Sequence, residues 1–437
     1  MSTTPTRPSY AAVFRVPHAR GAFTAALVGR LSYGTVSVAL MLCVTRATGS
    51  YAVAGTVMAL FGATGVFLSP YRAALVDRHG PRRALIPMAL LYATLLCALA
   101  AAGGVTGLPW PVLAVTAALA GACTPPLGPT MRAVWSALLP DRALLRRAYS
   151  LDGVAEELLF VTGPLLVGVV VGVASPAAGV VLSALLVAAG TVAFALSPAT
   201  RALSPAGPAA GAKERTSAGE RAARRRALLQ PVAVAAGVGL SLSAVDLLVV
   251  AFAGRHGLGD DTVAWVLAAL SAGSAVGGLL NGAVAWRGSA RARLPYLAAG
   301  LGLALAAAGL APALSALVVA VACAGLFVAP ALTTTYLIAD EDAAPGFRAR
   351  AGAWVNTAVN AGSSAGAAAT GLLVERLPLP LCFALAGAVS VAAALGPVVT
   401  FPSARGRAGA RTPAASRQSS SESAPSESSS ASSESPS

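Results

Sequence analysis

The stretch AALVDRHGPRR, residues 73–83, places five charged or titratable side chains and a Gly-Pro pair between two apolar runs, 51–71 and 84–104. Each run is long enough to cross a hydrocarbon core of ~30 Å as a helix, so the stretch reads as a polar connection outside a bilayer. The rest of the chain has the same character. It is 437 residues long, 56% hydrophobic and only 11% charged, with a mean hydropathy of +0.72. A soluble domain carries about a quarter charged residues, so these values describe a polytopic membrane protein. The opening segment MSTTPTRPSYAAVFRVPHARG is polar and interrupted by proline, so no cleavable signal peptide is expected.

Twelve apolar runs can be drawn, near 22–45, 51–71, 84–104, 109–133, 150–174, 176–197, 229–253, 262–285, 294–311, 313–338, 350–374 and 379–401. The formal charge of +14 raises the possibility of a nucleic-acid partner, but its distribution argues against one. With the N-terminus inside, 27 of the 31 Lys and Arg residues fall on the inner side, Arg46, Arg255 and Arg376 fall outside, and Arg30 lies within the first run. The positive-inside rule therefore puts both termini in the cytoplasm. Segment 1–21 precedes the first span, and 198–228 is a basic Pro/Gly-rich linker that splits the spans into 22–197 and 229–402. Segment 403–437 is a Ser/Glu-rich tail too poor in apolar residues to fold. The five cysteines lie in apolar runs without paired spacing, and His18, His79 and His256 are scattered. Neither disulfides nor a metal site are expected.

The even split suggests an internal repeat. A shift of 209 residues lays 57–85 on 266–294, pairing Arg78 with Arg287, Arg82 with Arg291 and Leu85 with Leu294. A shift of 204 pairs Pro126 with Pro330, Arg146 with Arg350, Asp152 with Asn356 and Glu156 with Asn360. A duplication with one loop indel accounts for both. The 73–83 stretch then resembles the signature loop of the major facilitator superfamily, G-x-x-x-D-[RK]-x-G-[RK]-[RK]. Asp77, Arg78, Gly80, Arg82 and Arg83 match it; Ala73 stands for the first Gly, and Pro81 is one extra residue. The resemblance implies an all-α integral membrane protein of twelve helices in two pseudo-symmetric six-helix bundles. It further implies that spans 1, 4, 7 and 10 line a central cavity and spans 2, 5, 8 and 11 join the halves.

FVTGPLLVGVVVG in the fifth run resembles, through Gly163 and Pro164, the Gly-Pro motif of drug/proton antiporters; ordinary packing of small residues explains it as well. The function expected from these resemblances is proton-coupled efflux of a small, partly apolar organic compound from the bacterial inner membrane. A monomer surrounded by lipid is expected, with no cofactor and no enzymatic activity. No G-x-x-x-x-G-K-[ST] loop is present, so ATP is not the expected drive. Uptake of a metabolite, or a receptor or scaffold that has lost transport, are the alternatives.

Charges inside a bilayer are costly and mark pathways. Here they are Arg30 in span 1, Asp152, Glu156 and Glu157 in span 5, and Asp246 in span 7. If Ser150 caps the fifth helix, Asp152 lies in its first turn, where the helix dipole favours a carboxylate. Glu156, at i+4, shares that face and needs a partner. Either Arg287 or Arg291 of the second-half loop meets Asp152 and Glu156 as a cytoplasmic gate, or Glu156 faces Arg30 at similar depth and carries a proton; a purely structural pair is the third reading. Asp77 is expected to contact Arg132, near the inner end of span 4, or the start of the eleventh helix. Asp246 reads as a protonation or cation-attracting site, or as a solvated charge near the outer mouth. Asn356 and Asn360 read as glue between helices. Tyr336, Trp265 and Trp354 serve either to stack on a substrate or to anchor at the interface. Pro125, Pro126 and Pro129 should break the fourth helix.

Overall fold

A computed structural model describes residues 10–103, 105, 109–203, 218–258, 260–284, 286, 288–344 and 347–400. Arg287, residues 204–217 of the linker, the 403–437 tail and the first nine residues lie outside them. The described residues form helices without strands: α1 Tyr10–Val13, α2 Ala19–Thr48, α3 Tyr51–Phe67, α4 Ser69–His79, α5 Pro81–Ala102, α6 Trp110–Cys123, α7 Leu127–Leu138, α8 Arg142–Val173 and α9 Pro176–Leu196. After a 3-10 turn, Pro198–Ala202, follow α10 Ala218–Arg255, α11 Asp260–Ala283, α12 Ala290–Gly309, α13 Leu314–Asp342, α14 Arg348–Val374 and α15 Leu379–Thr400.

Every apolar run coincides with a helix or a broken pair of helices. Among the described residues nine helices are long and apolar enough to cross a membrane, ten when α3 and α4, bent by 43°, count as one span. Helix α14 is more polar, with Asn356, Asn360, Ser363 and Ser364 along it, and α15 contributes a shorter described apolar segment. Local sequence sets the ends. Ser50, Ser175 and Ser289 accept hydrogen bonds from the first-turn N–H groups of α3, α9 and α12. Pro125 and Pro126 fall between α6 and α7 and separate them.

Helix α8 departs from expectation. It begins at Arg142, where the Asp141 carboxylate accepts from Ala143 N, rather than at Ser150. Asp152 therefore lies about three turns into the helix, and the first-turn dipole role expected of it does not apply.

Helices α2, α3, α5, α6, α8 and α9 pack on one another, and α10–α15 form a second packed set. The sets meet where α8 lies on α11 and α13, and where α14 lies on α4 and α7. Close crossings use glycine. A Cβ on Gly34 of α2 would sit 2.5 Å from the Leu159 carbonyl oxygen of α8, and one on Gly163 would sit 2.5 Å from the Gly34 carbonyl carbon. The Gly163–Pro164 motif thus has a packing explanation. Gly273 and Gly277 of α11 approach the α13 backbone in the same way. Replacing Gly34 by alanine should lower stability by about 1–3 kcal/mol, more than the ~1 kcal/mol that alanine adds to helix propensity. At Gly168, also on α8, the added methyl meets open space, so Gly168→Ala should stabilise slightly. Thermal unfolding in detergent checks the pair; equal effects would contradict the close crossing.

Candidate functional site

Four charges carried by α2, α7 and α8 converge. Asp152 and Glu156 lie one turn apart on the same face of α8. Arg30 of α2 donates from Nη1 to Asp152 Oδ1 at 2.6 Å, and its Nη2 lies 2.9 Å from Glu156 Oε2. Arg132 of α7 donates from Nη2 to the same Glu156 oxygen at 2.6 Å, and its Nε lies 3.2 Å from Asp152 Oδ2. Each carboxylate therefore meets both guanidinium groups. Burial of such charges is tolerated because they are paired on both sides.

The two acids differ in access. The Asp152 side chain is fully buried, whereas that of Glu156 is 32% exposed. Glu156 faces a cavity of about 260 Å³ also lined by Arg30, Tyr33, Arg72, Asn356 and Asn360. Tyr33 donates to the Pro125 carbonyl at the break between α6 and α7, which ties the cavity wall to that break.

Several expected contacts are replaced by others. Arg132 does not pair with Asp77. The break at Pro125–Pro126 turns α7 so that Arg132 points to α8, and its guanidinium carbon lies 3.8 Å from the centre of the Tyr336 ring of α13. Asp77 meets the other partner expected of it, the start of the eleventh span: it accepts from the backbone N–H groups of Ala349 at 3.3 Å and Arg350 at 3.0 Å, in the first turn of α14. A carboxylate there satisfies free N–H donors and the positive helix end. Ala73, Ala133, Ala349 and Ala353 pack together beside it, so alanine in place of the signature glycine still permits close approach. Gly80 adopts φ +82°, a conformation that favours glycine, and links α4 to α5. Arg78, Arg82 and Arg83 are exposed around it.

Arg291 does not approach Asp152; it pairs with Asp342 at the end of α13 and donates to Gln230 Oε1 at 3.3 Å. Glu157, rotated away from Glu156, accepts from Ser274 Oγ of α11 at 3.2 Å. Among the described residues the amides of Asn356 and Asn360 make no bond to another helix: Asn360 Nδ2 donates to the Asn356 carbonyl at 2.8 Å within α14. Asp246 is exposed on α10 and is not part of the four-charge cluster.

Two sets of residues escaped the sequence reading. Arg72, 6% exposed, donates to the carbonyls of Gly65, Gly121 and Ala122, capping the C-terminal ends of α3 and α6. The acidic triplet Asp340-Glu341-Asp342 ends α13 on the basic face of the molecule. Ser136 donates to Asp340 at 2.6 Å, Arg142 pairs with Glu341 at 3.2 Å, and Arg348 lies 3.7 Å from Asp340. Three consecutive acids on a face otherwise rich in arginine were the available signal. The pairs Arg132–Tyr336 and Ser136–Asp340 are each separated by 204 residues, the shift of the second repeat match.

The profile of the Major Facilitator Superfamily matches residues 22–343 and 235–431. The chain belongs to this superfamily. Among solved structures, the facilitator fold seen here is similar to that of the human organic anion transporter MFSD10 (TETRAN), with a TM-score of 0.64 and 16% identity, covering 87% of this chain and 99% of that one. It is also similar to a bacterial homologue of the iron transporter ferroportin in its outward-facing state, with a TM-score of 0.64 and 15% identity over 87% and 97% of the two chains. A variant of the E. coli fucose:proton symporter FucP gives a TM-score of 0.59 and 15% identity over 86% and 98%. Identities this low show the fold alone. No curated protein sequence matches the chain. Family and fold make this facilitator a transporter with membrane-spanning helices, not an enzyme.

Proposed function

We propose that this chain is a secondary active transporter with twelve spans in two pseudo-symmetric six-helix bundles, which exports a small, partly apolar organic compound in exchange for protons. The observation that carries the reading is Glu156, a carboxylate shared by two buried arginines and open to a cavity. The 204-residue separation of the Arg132–Tyr336 and Ser136–Asp340 contacts supports duplicated halves meeting near a two-fold axis. The arginine distribution supports cytoplasmic termini in a bacterial inner membrane, and a single chain contains the whole cavity.

The form described is closed on the basic face, where Asp77 caps α14 and the acidic triplet is paired. Arg30, Arg132, Asp152 and Glu156 all belong to the first half, so rocking of the halves does not by itself separate them. The link to the second half is the Arg132–Tyr336 contact. In the proposed cycle a proton entering from the open side neutralises Glu156 and releases Arg132 from it. Arg132 then leaves Tyr336, the basic face opens, and re-pairing of the carboxylate expels the proton inside. Protons and substrate move in opposite directions because each occupies a different state of the same equilibrium.

Direction is tested in inverted membrane vesicles energised with a proton gradient and offered a compound panel. Export predicts accumulation inside these vesicles; accumulation only in right-side-out vesicles would establish uptake instead. The closure of the basic face has its own test. Asp77→Asn removes a charge-assisted contact worth about 1.5–3 kcal/mol, so the closed form should lose population by roughly tenfold or more. Distances between spin labels on α4 and α14 report the shift; an unchanged distribution would remove Asp77 from the gate.

A further inference from the structure

A second cavity, separate from the central one, lies along α4, α5 and the C-terminal end of α6, with a volume of about 500 Å³. Its chemistry is divided along its length. Leu75, Met88 and Leu91 line the apolar part, and Leu75 and Leu91 are 45% and 52% exposed on the outer surface of the helices. At the basic-face end stand His79 and Arg83, both exposed, and Arg72 closes the inner wall. Arg72 is 6% exposed, and its Nε has no hydrogen-bond partner.

Among the described residues no acidic side chain lines this groove. The nearest one along α4, Asp77, is directed to the N–H groups of α14. Arg83 is exposed and has no ion-pair or hydrogen-bond partner among the described residues, and His79 Nδ1 lies 3.2 Å from the Leu75 carbonyl oxygen. Beside it the first turn of α5 follows Gly80, which supplies no capping side chain, so backbone N–H groups there add to the positive potential. An apolar channel on the outer surface of the helices, ending in the cation Arg83 at one membrane face, complements the shape and charge of a phospholipid: acyl chain along the channel, phosphate at the mouth. A zwitterionic lipid brings a cation of its own to this mouth, whereas an anionic lipid leaves net negative charge there.

We propose that this groove is a binding site for one anionic phospholipid, its phosphate held by Arg83 and His79 and an acyl chain lying along Leu75, Met88 and Leu91. The site is independent of the transport cycle proposed above and requires no particular substrate or coupling ion.

Native mass spectrometry of the purified full-length chain, given equal amounts of dioleoyl phosphatidylglycerol and dioleoyl phosphatidylcholine, tests the assignment. The most tightly retained lipid should be phosphatidylglycerol. Arg83→Gln should reduce that preference about fivefold, the factor expected for one basic side chain near an anionic headgroup. Arg83→Lys should keep most of it, and Met88→Trp, which fills the channel, should lower phosphatidylglycerol retention. Arg78→Gln removes an exposed cation of the same loop that does not line the groove, and should leave the preference intact. Equal retention of the two lipids, a preference that survives Arg83→Gln, or one lost equally with Arg78→Gln would overturn the site. Displacement of the lipid by millimolar inorganic phosphate would reassign it to free anions.

Discussion

Replacing Asp152 by asparagine should destabilise the protein by about 3–5 kcal/mol, the largest effect expected of any single substitution in the four-charge cluster. The reason is asymmetry between making and breaking a buried pair. Asp152 is fully buried and contacts Arg30 at 2.6 Å and Arg132 at 3.2 Å. Removing its charge leaves two guanidinium groups facing a single carboxylate, Glu156, in a low-dielectric setting. Asn356, which the 204-residue shift pairs with Asp152, is itself neutral. The same shift pairs Arg132 with Tyr336, so the second half has no arginine at that equivalent position. Removing Arg30 together with Asp152, as Arg30→Met with Asp152→Leu, should recover a substantial part of the loss, since the remaining Arg132–Glu156 pair is balanced. Unfolding midpoints in a fixed detergent would show this; a double variant no more stable than Asp152→Asn would mean that the cluster acts through shape rather than charge.

The largest functional effect is expected of Glu156→Gln. The amide keeps the size of the side chain and can still accept one hydrogen bond from Arg30 or Arg132, but it cannot alternate between ionised and protonated forms. Concentrative, proton-driven transport should be abolished. Substrate binding and exchange down a gradient should survive, because the cavity volume is preserved and the Asp77 contacts with α14 do not involve this side chain. Arg30→Ala should shift the pH dependence of transport towards higher pH, as the carboxylate loses a counter-charge. A Glu156→Gln protein that still accumulates substrate against a gradient would eliminate Glu156 as the proton carrier, and Asp246, exposed on α10, would be the next residue to replace.

Much of this arrangement is legible in the chain itself. The 73–83 loop identifies the family because its chemistry is local: Gly80 has to adopt a positive φ, and Asp77 has to reach a helix end. Arg30 and Glu156 could be matched in depth because both helices climb by a fixed rise per residue. What failed was rotation and extent. The partner of Arg132 depends on how α7 is turned after the Pro125–Pro126 break, and counting residues through a broken helix does not give that angle. Asp152 was misplaced because the fifth run was begun where its apolar pattern begins. The cap Asp141 lies nine residues before Ser150, behind Arg142, Arg146 and Arg147, which continue the helix without contributing hydropathy. Arg291 followed the repeat to the wrong acid because Asp342 has no carboxylate counterpart in the first half; the 204-residue shift places Leu138 there. Sequence symmetry predicts shared backbone geometry more reliably than shared ion pairs.

The central claim is that Glu156 exchanges a proton for its arginine partners as the halves move, so that substrate flux and proton flux are linked. Its most direct test is the proton movement evoked by substrate in sealed proteoliposomes carrying a pH-sensitive dye, with no imposed gradient. For a compound transported by the wild-type chain, addition on one side should drive protons across in the opposite direction at a fixed ratio. Glu156→Gln should move the same compound with no proton signal. Substrate flux through the wild-type protein without any proton movement, or an unchanged proton signal in Glu156→Gln, would contradict the account.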